Sequence, residues 1–324
     1  MRKTFSYLLL LALCLLWAPS LFAQEASPPE DDATPKAVLV TGASSGIGRM
    51  TAEMLAESGY FVYAGARKKE DLEALNKIPN VQAIRLDVTV QEEIDAAVAT
   101  IQKEGRGLYG LINNAGVVAV APLIEVTEDD LQFVMDVNVF GPYRVTKAFA
   151  PLLIESKGRV ATTGSISGAV TWTLGGPYCM SKFAVEAYTD VLATEMGRFG
   201  VQVCVVEPGN FQSDISKNMK ARMDAKGYST DGSLYKDALD GVFGRSPDRT
   251  QYLEPTPVAE AFLSFLNSKD PQRRYMVVPN QGEAMFTVNS AMRRLVQLNG
   301  EQEHSFTREQ LIEMLDLAIA AEKQ

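Results

Sequence analysis

After residue 35 the chain alternates short apolar runs with longer stretches in which apolar residues recur every three or four positions. The runs at 37–40, 60–64, 81–86, 110–112, 159–163, 201–206 and 275–278 read as seven strands. Helical periodicity occupies 49–58, 91–103 and 131–153, the last interrupted near Gly141-Pro142, and two further helical stretches, 284–298 and 308–323, close the chain. Regular alternation of strand and helix predicts an α/β fold: a single Rossmann-type doubly wound parallel sheet of about seven strands with helices on both faces and ligands at the strand C-termini. Residues 210–250 break the alternation, mixing Met219, Met223, Tyr228, Tyr235 and Phe243 with many charges. A long insertion at a strand C-terminus is expected to cover a substrate site. No internal repeat is present.

The first 35 residues follow another pattern. Arg2 and Lys3 precede an unbroken apolar run at 7–18, and the stretch ends on Ala23. Residues 1–23 thus have the layout of a signal peptide, or of an uncleaved N-terminal anchor. Residues 24–35 are acidic, carry Pro28, Pro29 and Pro35, and read as a tether. The remaining chain divides into a main domain, 36–282, and a C-terminal helical extension, 283–324. Basic residues before the apolar run and Glu25, Glu30, Asp31 and Asp32 after it predict an exported or membrane-tethered protein, in a periplasm or an endoplasmic-reticulum lumen.

Charge and rare residues narrow the chemistry. A net charge of −9 argues against nucleic acid or an anionic membrane surface as the main partner. The one histidine, His304, sits in the polar tail, which excludes a His-based triad and a His/Cys metal site. Cys14 is in the leader, while Cys179 and Cys204 fall in separate core-like elements, so no disulfide framework is expected.

The candidate chemistry clusters at the predicted strand ends. Thr41-Gly-Ala-Ser-Ser-Gly-Ile-Gly48 joins the first strand to the first helix, the setting in which glycines bind phosphate. Gly42 permits a tight turn, and Gly46, Ile47 and Gly48 bring backbone to the helix N-terminus, where a pyrophosphate is favoured. Ser44 and Ser45 offer further donors. Past the second strand stands Arg67, where an acid would grip the ribose of NAD; a basic residue suits the 2′-phosphate of NADP, or is a solvated loop residue. Asp87-Val88 ends the third strand, where the acid accepts from an adenine amino group or caps the next helix. Asn113-Asn114-Ala115-Gly116 follows the fourth strand with side chains small enough for close cofactor contact. Asn138 lies mid-helix, where it serves either structure or a proton relay. Thr163, Ser165 and Ser167 follow the fifth strand, and Pro208-Gly209 the sixth. Tyr178 and Lys182, four apart on a helix, share a face, and an ammonium there is expected to pull the phenol pKa down.

Together these motifs resemble the short-chain dehydrogenase/reductase family, from residue 35 to about 279. The pieces at 107–116, 178–187 and 206–211 are most similar to its retinol and 17β-hydroxysteroid dehydrogenase branch. The resemblance implies that Tyr178 is the general acid/base and that Lys182 lowers its pKa and binds the nicotinamide ribose. It implies that Ser165, thirteen residues before Tyr178, polarises the substrate carbonyl and that Asn138 holds the water of a proton relay. Asp87 and Val88 would contact adenine, and Ser213 stands where the family usually has Thr near the nicotinamide amide. The expected activity is hydride transfer between NADP(H), or NAD(H), and a small hydrophobic alcohol or carbonyl compound, in a homo-oligomer. A non-catalytic dinucleotide-binding sensor or scaffold on this fold is the alternative, which has no use for the full Ser165–Tyr178–Lys182 set.

Overall fold

A computed structural model describes residues 35–322. The predicted leader and most of the tether lie outside the described residues. In chain order the elements are β1 (Ala37–Val40), α1 (Gly46–Glu57), β2 (Phe61–Ala66), α2 (Lys69–Leu75), β3 (Val81–Arg85), α3 (Gln91–Glu104) and β4 (Gly110–Asn113). Next come α4 (Glu128–Met135), a π-helical turn (Asp136–Phe140), α5 (Gly141–Glu155), β5 (Arg159–Thr163), a 3₁₀ turn (Ile166–Gly168), α6 (Gly176–Gly197) and β6 (Gln202–Pro208). The chain continues through α7 (Ile215–Ala225), α8 (Lys236–Phe243), α9 (Thr256–Asn267), β7 (Arg274–Val277), α10 (Gln281–Asn299) and α11 (Arg308–Ala321).

All seven strands are parallel, in the order β3-β2-β1-β4-β5-β6-β7. Chain direction along the sheet reverses between β1 and β4, which opens a crevice at their C-terminal ends. Both sheet faces are covered, so β1 is apolar throughout: Val38 and Val40 face α1 and α9, while Ala37 and Leu39 face α3 and α5. Helix α9 is absent from the sequence reading, yet it supplies Val258, Phe262, Phe265 and Leu266 to the core. Arg159, buried at the start of β5, fixes its end by donating to the Phe265 and Ser268 carbonyls, where a helix C-terminus favours a cation.

The expected break in the long helix is a π-helical turn just before Gly141, with Asn138 in its middle. The 210–250 insertion folds into α7 and α8. Arg222 on α7 and Lys226 just past its end pair with Asp129 and Asp130 on α4. Leu239 on α8 joins Val120 and Leu174 in a small separate core. Among the described residues no helix is long and apolar enough to cross a membrane.

Candidate active site

At the strand C-termini lies a cavity of about 880 Å³. Its walls include every site residue predicted from the sequence except Asn113 and Asn138, which are buried. One end is built by the turn between β1 and α1. Gly42 and Gly46 adopt left-handed φ values of 65° and 53°. These glycines also serve packing within the protein. A side chain at Gly42 would meet Ala115, one at Gly46 would meet Ser213, and one at Gly48 would run into the Asn114 amide and the Gly42 carbonyl. Helix α1 begins at Gly46, three residues earlier than its periodicity suggests. Ser45 is its N-cap and makes no capping bond with its side chain, and the first turn holds no acid. Its N–H groups and positive end are therefore available to a pyrophosphate.

Asn114 is a hub that the sequence did not announce. Its amide nitrogen donates to the Thr41 and Gly42 carbonyls at 3.1 and 3.2 Å, and its oxygen accepts from the Thr163 hydroxyl at 3.2 Å. Thr41 in turn accepts from the Asn114 and Ala115 N–H groups at 3.0 and 3.1 Å. The ends of β1, β4 and β5 are thereby locked in one frame. The only sequence signal was a polar residue closing each of three apolar strands.

Farther along the rim, Arg67 follows β2 directly with an exposed side chain, 3.5 Å from the Asp87 carboxylate. Asp87 does not cap α3, whose N-cap is Val90. Instead it accepts from the backbone N–H and hydroxyl of Thr89, at 2.9 and 2.7 Å. Burial opposes the charge of Asp87, but those bonds and Arg67 hold its carboxyl below the usual range. Val88 packs behind it. A dinucleotide fits this end: a free helix N-terminus for the pyrophosphate, and a cation and an acid for the ribose and adenine.

At the other end Tyr178 and Lys182 rise from the start of α6, with the Lys182 ammonium 5.6 Å from the centre of the Tyr178 ring. Lys182 is buried and donates to the Thr163 carbonyl at 2.7 Å. Burial draws its pKa down to about 8, against the opposing charge of Glu186 one turn on. The expectation that Lys182 pulls the Tyr178 phenol down needs correction. Burial dominates and pushes that phenol up, and the opposing pull comes from the Ser165 hydroxyl and the Arg249 guanidinium; the Lys182 ammonium points at the Thr163 carbonyl.

Tertiary structure sorts the three candidate hydroxyls. Thr163 is engaged by Asn114, and Ser167 accepts from the Trp172 indole at 3.3 Å. Ser165 accepts from the Ser167 N–H at 3.1 Å and stands beside the Tyr178 phenol. Asn138 is fully committed: its oxygen accepts from the Val117 N–H at 2.8 Å, and its nitrogen donates to the Val117 carbonyl and the Ser181 hydroxyl, both at 2.9 Å. It ties the loop after β4 to α6. Pro208 ends β6, Gly209 follows it, and Ser213 lies against Gly46. Of the aromatic and Met residues in the insertion, Met219 and Phe243 line the cavity. Met223 and Tyr228 line a separate small pocket, and Tyr235 is exposed. Leu174 holds a left-handed φ of 69° without being glycine, seated in the small core beneath α8.

The profile of the short chain dehydrogenase family matches residues 36–224. Mitochondrial D-beta-hydroxybutyrate dehydrogenase of Rattus norvegicus is 37% identical over 226 residues, 65% of this chain and 66% of the relative, so the chain spans just under two thirds of that protein. Retinol dehydrogenase 5 of Mus musculus is 34% identical over 284 residues, 83% of this chain and 88% of its own. The alcohol dehydrogenase of Thermococcus sibiricus, solved with 5-hydroxy-NADP, superposes with a TM-score of 0.60 at 25% identity, over 75% of this chain and 95% of that one. Strand order, glycine turn and the span of these matches agree: the chain belongs to the short chain dehydrogenase family.

Proposed function

We propose that this protein is an NAD(P)-dependent oxidoreductase that interconverts an alcohol and a carbonyl compound, with NADP(H) the favoured cofactor. The observation that carries the reading is the convergence of Ser165, Tyr178 and Lys182 on the cavity that also holds the glycine turn. A nicotinamide dinucleotide held by the glycine turn and Lys182 would accept or supply the hydride. In reduction the Tyr178 phenol gives its proton to the carbonyl oxygen, and in oxidation its phenolate takes the hydroxyl proton. Ser165 hydrogen-bonds that oxygen, and Lys182 holds the nicotinamide ribose. Asn138 fixes the loop and helix that present them. A non-catalytic sensor would have no use for this set.

The cavity walls Val120, Val170, Trp172, Met219 and Phe243 suit a hydrophobic, steroid- or retinoid-like secondary or allylic alcohol. Retinol dehydrogenases among the relatives support that substrate class. We read residues 283–324 as a C-terminal extension, the chain as a homo-oligomer and the protein as exported or membrane-tethered. The test is a screen of steroids, retinoids and simple ketones with both cofactors, followed by absorbance of the reduced nicotinamide. Tyr178→Phe should lose at least ~100-fold in turnover while still binding cofactor. Near wild-type turnover in the variant rules the assignment out.

A further inference from the structure

We infer that the substrate carries an anionic group, a carboxylate by preference, and that Arg249 receives it; this rests on the oxidoreductase reading above. Arg249 follows α8 and lines the cavity, half-buried. Its guanidinium lies 4.3 Å over the Tyr252 ring. Its Nε donates to the Phe211 carbonyl at 3.1 Å and one terminal nitrogen donates to the Asn210 side chain at 3.3 Å. All these partners are neutral. Among the described residues no carboxylate forms an ion pair with it, whereas Lys217, Lys220, Arg222, Lys226 and Arg274 each have one.

The acids sharing this wall are already engaged. Asp214 pairs with Lys217, Asp248 accepts from Thr250, and Glu283 accepts from the backbone and side chain of Asn210. An oriented guanidinium with an unused terminal donor and no carboxylate within ion-pair distance can receive a carboxylate, because a planar fork matches two oxygens. Arg249 lines the same cavity as Tyr178. The same cavity has apolar walls at Val120, Val170, Trp172, Met219 and Phe243, so the ligand class is an amphipathic keto or hydroxy acid: carbonyl at Tyr178, apolar body, anionic end at Arg249.

The test compares straight-chain acids bearing a ketone at carbon 4, 5, 6 or 7 with their methyl esters, on the full chain. For at least one acid, the wild type should show a kcat/KM ratio of acid over ester of at least ~10, the scale of a charged hydrogen bond. In Arg249→Gln that ratio should fall toward one, while Arg249→Lys keeps part of it. Cofactor Kd, measured by fluorescence, should move less than twofold. A wild-type ratio near one, an equal loss on acid and ester, or a matching loss of cofactor affinity overturns the inference. If neutral ketones or alcohols react but no acid does, the inference fails and the oxidoreductase reading stands. If nothing reacts with either cofactor, both fail.

Discussion

The Nζ of Lys182 donates to the carbonyl of Thr163 at 2.7 Å, so the last residue of β5 and the start of α6 are held together at the cavity wall. Thr163 bonds Asn114 through its hydroxyl, and Asn114 holds the glycine turn. The residues proposed for catalysis and the turn proposed for the cofactor therefore share one rigid frame.

Removing the ammonium should separate activity from stability. Lys182→Met breaks the bond to Thr163, yet it also deletes a charge that burial disfavours. The expected outcome is a loss of turnover of at least ~100-fold with a melting midpoint equal to or above wild type. Full activity in a folded variant would show that the ammonium has no catalytic part.

Cofactor choice should hinge on Arg67, whose exposed guanidinium faces Asp87 across the rim. In Arg67→Asp the cation becomes an acid suited to ribose hydroxyls. The kcat/KM ratio of NADP over NAD should drop by at least ~10-fold, the scale of a charged hydrogen bond. A wild type that binds NAD more tightly in calorimetry contradicts the preference itself.

Behind Lys182, Glu186 and Glu207 form a carboxyl pair, faced by Arg274, by Asp190 and by Lys182. Arg274 binds one Glu186 oxygen at 3.1 Å, while the other is buried without a donor. A proton on Glu207 would satisfy it. Burial first, and then Glu186, push Glu207 up to about 8. A carboxyl whose folded pKa exceeds its unfolded value stabilises below the unfolded pKa and loses that contribution as pH rises through the folded one. Stability should thus fall between the ordinary glutamate range and pH 8. Glu207→Gln should flatten that slope in urea titrations at pH 5, 6.5 and 8. An unchanged slope means the pair does not hold the proton.

Gly48→Ala introduces a methyl group against the Asn114 amide and the Gly42 carbonyl. Neither is the free end of a flexible chain, so the turn must shift. We expect a loss of ~1–3 kcal/mol in urea unfolding, the usual cost of overpacking, together with weakened cofactor binding. Wild-type values for both would remove the packing role assigned to this glycine.

Local periodicity carried much of this protein. The seven strands, the parallel doubly wound sheet, the glycine turn and the shared face of Tyr178 and Lys182 each follow from residues close in sequence, where spacing alone sets the face or the turn. Helix α9 was missed although Phe262 and Phe265 are wholly buried: it follows the irregular 210–250 segment, and its partner α1 lies two hundred residues away. Asp87 read equally well as a helix cap and as a ligand residue; the structure turns it to its near neighbour Thr89 and, across the rim, to Arg67. Ser165 was already singled out by its spacing from Tyr178, whereas the commitment of Asn138 to Val117 and Ser181 and the upward push on Tyr178 were decided only in three dimensions. Hydrogen-bond partners and desolvation depend on which distant segments close around a group, and no spacing along the chain encodes that directly.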